Sequence, residues 1–214
     1  MTIRLVFVDL NGTLVDDWEQ AYHAMCSVFI EHCLTCPSLR DFVTHVAHTG
    51  DYLSFYREHG LPEATRDELH AIYLPTYRGS LHTVKTMPGV IYTLQELHQN
   101  NTEVHLLTAA RKDMADMLID HAGIRQNCDD FHYHVHNKEM QIRAIIDGME
   151  ITPDECVMIG DLPSDVMHAT RAGIRGVALQ NKHVPTELFE TVTNMEYYAN
   201  DFRGLLAYIA QHSA

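Results

Sequence analysis

Ile3-Arg4-Leu5-Val6-Phe7-Val8-Asp9-Leu10-Asn11-Gly12-Thr13-Leu14 is the stretch that decides the fold. Residues 3–8 read as a buried strand, which delivers Asp9, Asn11 and Gly12 at its carboxyl end. An acid placed where a buried strand leaves the core is held rigidly yet stays reachable. In an open parallel sheet that rim is where ligands bind.

Outward from this strand, three more short apolar runs repeat the pattern: 103–108, 156–159 and 176–179. They alternate with helical stretches, which predicts an α/β fold with a doubly wound, Rossmann-like parallel sheet. The helices are punctuated. Residues 89–100 follow Pro88, 111–122 stop at Gly123, and 138–147 end at Gly148. The stretch 164–172 starts at Ser164 as N-cap and ends at Gly173, and Thr152-Pro153 looks like an N-cap with proline at the first helical position. Residues 16–84 break the rhythm, with helical patterns near 17–34, 38–48, 50–59 and 65–74 and no strand. The expected organisation is a core domain from 1–15 and 85–214 with a helical cap domain from 16–84 over the sheet's carboxyl rim.

With 214 residues the chain can bury one substantial core plus a smaller module. No apolar run approaches the roughly 20 residues that cross a bilayer, and the N-terminus enters a strand at once without a signal peptide. A cytoplasmic protein with no membrane partner is the expectation. A formal net charge of −14 argues against nucleic acid, whose phosphates need basic patches. It also makes an anionic substrate unwelcome unless a cation and a few Lys or Arg side chains reverse the local field. Five cysteines, an odd number, suggest no disulfide framework, and Cys33 and Cys36 are expected as a reduced pair.

The residues suited to chemistry fall at strand ends. The Asp9 carboxylate can attack phosphorus and split one hard displacement into two easier ones. Met158-Ile159-Gly160-Asp161-Leu162-Pro163-Ser164-Asp165 follows an apolar strand with two acids four residues apart. Carboxylate oxygens suit Mg²⁺, a hard ion that bridges to substrate phosphate. Thr108 closes the second strand and precedes Ala109-Ala110-Arg111, and Lys138 opens the helix 138–147.

Taken together these pieces resemble the haloacid dehalogenase-like (HAD) hydrolase superfamily, whose first motif is usually Asp-x-Asp-Gly-Thr. The resemblance covers essentially the whole chain, and Met158 to Leu179 is similar to the phosphoglycolate phosphatase-like branch. It implies that Asp9 is the nucleophile, that Thr108 holds a phosphate oxygen beside Ala109 and Arg111, and that Lys138 offsets negative charge on the phosphoryl group. It implies a Mg²⁺ site from Asp9, Asp161, Asp165 and the backbone carbonyl of Asn11. The implied substrate is a small phosphorylated metabolite, bound by a monomer or homodimer whose cap closes over it.

Asn11 departs from the family pattern. In family phosphatases the acid at this position protonates the leaving oxygen and later activates water, and its loss costs about 10²–10⁴ in rate. Several explanations stand side by side: a leaving group that needs little protonation, a stand-in acid such as Asp16, Asp17 or His23, sibling chemistry of the dehalogenase or phosphonatase type, and a weakened protein that binds a phosphorylated ligand.

His132, His134 and His136 would share one face of a strand; such alternation can bind zinc, though a polar solvent face opposite Phe131, Tyr133 and Val135 is the simpler account. Tyr52 and Tyr56 lie four apart as helical neighbours do. Tyr73 and Tyr77 repeat the spacing, with Pro75 expected to break the helix between them. Arg57, Arg66, Arg78 and Lys85 are further candidates for gripping an anion.

Overall fold

A computed structural model describes residues 2–212. In chain order the elements are β1 (Leu5–Val8), β2 (Val15–Asp16), α1 (Trp18–Glu31), α2 (Leu39–Thr49), α3 (Tyr52–Glu58), α4 (Arg66–Ser80), β3 (Lys85–Thr86), α5 (Val90–Gln99) and β4 (Glu103–Leu107). There follow α6 (Lys112–Ala122), β5 (Asp130–His132), α7 (Lys138–Asp147), β6 (Cys156–Gly160), α8 (Pro163–Ala172), β7 (Arg175–Leu179), β8 (Tyr197–Ala199) and α9 (Phe202–Gln211).

Six strands form one parallel sheet in the order β5-β4-β1-β6-β7-β8. The four predicted strands are its four inner strands. Both faces of β1 are covered, so alternate residues serve opposite layers. Val6 and Val8 join Val104, Leu106, Val157 and Ile159 beneath α5, α6 and α9. Leu5 and Phe7 join Leu107, Cys156 and Met158 beneath α7 and α8. The sheet order reverses at β1: the chain next adds β4 on one side and β6 on the other. That crevice is the topological switch point of an open α/β sheet.

Four helices, α1 to α4, lie between β2 and β3, which pair antiparallel with Val15 opposite Thr86 and Asp16 opposite Lys85. The helices share an apolar cluster built on Met25, Phe29, Phe42, Phe55 and Tyr56, which continues onto Val166 and Ala178 of the sheet layer. Ser38 and Thr65 cap α2 and α4 through reciprocal bonds with Asp41 and Glu68, so the turns between helices are encoded locally.

Three expectations need correcting. Helix α4 does not stop at Pro75 but runs on to Ser80. Proline removes one backbone donor, and here the continuing helix stacks the Tyr73 and Tyr77 rings at 5.7 Å, while the Tyr77 hydroxyl is anchored on Asp17. Tertiary contacts outweigh the local penalty. Helix α8 begins at Pro163, with Leu162 rather than Ser164 in the capping position, because the Asp165 carboxylate accepts the Leu162 N–H at 3.2 Å. Cys36 is not a reduced partner of Cys33: it is disulfide-bonded to Cys26 of α1, with Cα atoms 5.2 Å apart, and Cys33 is free and exposed.

Candidate active site

The floor of the site is assembled from three adjacent strand ends. Asp9 follows β1, Thr108 follows β4 and Asp161 follows β6. Lys138, the first residue of α7, reaches under them. Its Nζ lies 2.5 Å from Asp9 Oδ1 and 2.6 Å from Asp165 Oδ1. Thr108, Lys138, Asp161 and Asp165 are buried, Asp161 completely, while the Asp9 side chain keeps 13% of its surface. Asp9, Asp161 and Asp165 each offer an oxygen within 4.8 Å of the others, an arrangement that could hold a hard cation. One ammonium among three carboxylates leaves this buried cluster with an excess of negative charge.

The electrostatics follow from that crowding. Burial pushes the Asp161 carboxyl well above its ordinary value, and the nearby Asp9 and Asp165 charges push it further, against hydrogen bonds from Trp18 and Thr13. Burial also raises Asp9, with Lys138 pulling it back and Asp165 opposing. For Lys138, burial disfavours the charge, but Asp165 and Asp9 outweigh it and hold the ammonium above the usual lysine range. A buried lysine flanked by two carboxylates stays charged.

Two glycines make the approach feasible. Gly12 has φ +74°, and a Cβ there would stand 2.2 Å from Asp161 Oδ2. A Cβ on Gly160 would stand 2.1 Å from Asp165 Oδ2. Only glycine lets these backbones pass so close to the carboxylates.

Around this floor lies a set of residues that the sequence did not single out. Thr13 Oγ1 donates to Asp161 Oδ1 at 2.9 Å and accepts the Asp161 N–H at 3.0 Å. Trp18 Nε1 donates to Asp161 Oδ2 at 3.0 Å, and Asn181 Nδ2 donates to the Gly12 carbonyl at 2.7 Å. Thr13 sits inside the first motif and Trp18 is the chain's single tryptophan, so both left a sequence signal; Asn181 left none.

Asn11 is pinned. Its Nδ2 donates to Asp17 Oδ2 at 2.6 Å, and its Oδ1 accepts from Thr108 Oγ1 at 3.4 Å. The Asp17 carboxylate also accepts the Gly12 N–H at 3.0 Å and the Tyr77 hydroxyl at 2.5 Å. Burial raises the Asp17 carboxyl, opposed by the bonds from Tyr77, Asn11 and Gly12. Of the acids near Asn11 in sequence, Asp17 is therefore the one the fold brings against it. Asp16 faces Lys182 at 3.0 Å instead.

The floor opens on a cavity of about 1020 Å³. Thr108, Ala109 and Arg111 line its wall, with Ser164 and His168 on the other side. Arg111 is half exposed and paired with Asp113 at 3.1 Å. The roof comes from the helices between β2 and β3: Tyr52, Tyr56, His70, Tyr73 and Arg66. Tyr52 Oη lies 2.7 Å from His70 Nε2, and the Arg66 guanidinium sits 5.3 Å over the Tyr52 ring. Arg57 binds the Ala64 carbonyl and Arg78 pairs with Asp113. The three alternate histidines do not share a strand face. Strand β5 ends at His132, His134 has φ +58°, and His134 and His136 turn into the cavity wall.

This floor and sheet define a class, the haloacid dehalogenase-like hydrolases: residues 6–179 match that family, and the chain belongs to it. Within the family it falls with the phosphoglycolate phosphatase-like branch. It is 27% identical over 190 residues to phosphoglycolate phosphatase 1 of Pseudomonas aeruginosa, a match that takes in 82% of this chain and 69% of the relative. It is 22% identical over 197 residues to validoxylamine A 7'-phosphate phosphatase of Streptomyces hygroscopicus subsp. limoneus, covering 87% and 90% of the two chains. The crystal structure of a hydrolase from Pseudomonas syringae superposes over 100% of both chains with a TM-score of 0.81 at 19% identity, which speaks to the shared fold.

Proposed function

We propose that this hydrolase is a Mg²⁺-dependent phosphatase that passes the phosphoryl group of a small phosphorylated metabolite to Asp9 and then to water. The observation that carries the reading is Asp9 itself, a nearly buried carboxylate at the end of the central strand, 2.5 Å from a charged lysine and facing the cavity. A carboxylate oxygen of Asp9 forms the new bond to phosphorus while the bond to the leaving oxygen breaks; water then releases phosphate and restores the carboxylate. Thr108 and Lys138 hold phosphoryl oxygens, with Ala109 and Arg111 at the wall. Asp9, Asp161, Asp165 and the Asn11 carbonyl would hold Mg²⁺, and the excess negative charge of the cluster and its all-oxygen donor set fit that ion. When bound, it polarises a phosphoryl oxygen and balances the carboxylates.

Asn11 cannot give or take the proton of the leaving oxygen, so the native chain is suited to esters whose leaving group departs with little help, or to proton delivery from Asp17. The cavity is at the upper end of the volumes that enclose drug-sized ligands, which favours an organic group larger than the two carbons of glycolate.

The test compares hydrolysis of p-nitrophenyl phosphate with that of a simple alkyl phosphate, in Mg²⁺, by the native chain and Asn11→Asp. Nitrophenolate leaves unaided, so the native chain is expected to turn over the aryl ester. The variant sets two carboxyls against each other, which favours one of them keeping its proton, and is expected to raise alkyl turnover by about 10²-fold. Turnover of neither ester by either form would overturn the phosphatase reading. Binding of a phosphate ester without turnover would then favour a ligand-binding protein, and halide release from a 2-haloacid without metal would favour a dehalogenase.

A further inference from the structure

The sheet carries a second group of metal-ligating side chains, which the active site does not use. His105 of β4 and Asp130 of β5 are register partners, and His132 follows two residues on, so all three project from one face of the sheet at its β5 edge. One ligand atom from each lies within 4.8 Å of the others. None of the three lines the active-site cavity. We propose that His105, His132 and Asp130 form a second metal site, suited to a borderline transition ion of the Zn²⁺ type and separate from the carboxylate cluster.

Two observations point to a ligand. His105 is more than nine-tenths buried, yet its Nδ1 has no hydrogen-bond partner among the described residues; the partly buried His132 Nε2 likewise makes no hydrogen bond, with the Asp130 carboxylate 3.3 Å from it. A buried ring nitrogen left unpaired costs free energy that a hydrogen bond or a metal would recover. The surroundings also hold the ring that must bind. His105 Nε2 faces the Glu103 carboxylate at 3.4 Å, and the Phe7 ring stands edge-on 6.0 Å away. In the Nε2–H tautomer, which a facing carboxylate favours, the ring presents Nδ1 as a lone pair, which is how second partners orient metal-binding histidines. His132 Nδ1 is 3.4 Å from Gln141 Nε2 of α7, and its Nε2 is 3.3 Å from Asp130 Oδ2. The other Asp130 oxygen accepts the Phe131 N–H at 2.7 Å.

The donor set selects the ion. Two imidazoles and a carboxylate, with a position left for water, suit Zn²⁺; an all-oxygen cluster such as Asp9, Asp161 and Asp165 suits Mg²⁺. The two sites would sort two metals by ligand chemistry. Binding would also staple the short edge strand β5 to β4. That strand leads directly into the active-site wall, since Thr108 N donates to the His132 carbonyl at 3.0 Å and Val135 N donates to the Thr108 carbonyl at 2.9 Å.

Equilibrium dialysis of the full chain against Zn²⁺ in excess Mg²⁺ tests the site. The native chain is expected to retain one more Zn²⁺ than His105→Gln/His132→Gln, and Asp161→Asn is expected to keep that ion. Equal retention by the native chain and the double variant, or loss of the ion in Asp161→Asn, would overturn the proposal. Should the double variant fail to fold, Co²⁺ added to the isotope-labelled native chain in excess Mg²⁺ gives a second reading. Paramagnetic broadening of amides in 103–107 and 130–141 is expected first; broadening confined to 9–14 and 160–165 would overturn it.

Discussion

The floor and the roof of the cavity are built in opposite ways. Each floor residue sits within one residue of a strand end or in the first turn of a helix, so the backbone fixes it. Lys138, Asp9 and Asp165 are locked together by bonds of 2.5 and 2.6 Å. The roof is made of long aromatic and basic side chains from α3 and α4, tied by tip-to-tip contacts such as Tyr52 with His70. A site held by backbone can keep its geometry while the substrate changes, and one made of side chains can be remade without touching the chemistry. On the proposed reading, the floor sets the reaction and the roof sets the substrate.

The largest effect that would break this division is at the proposed nucleophile. Asp9→Asn keeps the size of the side chain and removes the attacking oxyanion, and turnover of p-nitrophenyl phosphate is expected to fall by on the order of 10⁴-fold or more. Residual turnover within about tenfold of native would mean that Asp9 is not attacked at phosphorus. Next is Lys138→Ala, expected to lower kcat by about 10²–10³-fold. A change confined to KM would make Lys138 a docking group only.

The roof should respond differently. Tyr52→Ala removes the ring beneath Arg66 and the partner of His70. It is expected to shift the ratio of kcat/KM between a large and a small phosphate ester by about tenfold, with kcat for p-nitrophenyl phosphate within about twofold of native. Equal loss on both esters would dissolve the distinction between floor and roof.

The smallest effect sharpens the electrostatics of the floor. Asp161 is held above its ordinary value of 3.8, by burial first and then by Asp9 and Asp165. The folded chain therefore keeps a proton there at pH values where the unfolded chain has released it, and this residue costs stability increasingly as pH rises above 3.8. In chelator, the Tm of the native chain should fall relative to that of Asp161→Asn as pH rises above 3.8. Partly buried histidines such as His70 and His168, whose values are lowered chiefly by desolvation, act in the other direction over this range and cancel in the difference. A difference that does not change with pH would show that Asp161 ionises normally in the fold.

What could be read from the chain was whatever depends on neighbours in sequence. The inner strands are apolar over four or five residues because both faces are buried, and α7 could be bounded because Asn137 caps its start and Gly148 follows its end. Asp9 and Asp161 were legible as acids at the ends of apolar strands, and Thr108 and Lys138 through the resemblance to the family's motifs; each is attached to the end of an element. The edge strands β5 and β8 are three residues long and half-buried, too short to carry a pattern.

The sequence by itself determined the α/β sheet, the helices inserted after β1 and the residues of the floor, because hydrophobic period, caps and strand ends are local properties. Only the tertiary structure decided which side chains meet across the chain. It put Tyr77 on Asp17 from 60 positions away, carried α4 through Pro75, joined Cys26 rather than Cys33 to Cys36, and set His132 beside His105 instead of beside His134. These outcomes depend on how helices and strands pack at a distance, where a contact recovers what local propensity loses, and no window of sequence contains that balance.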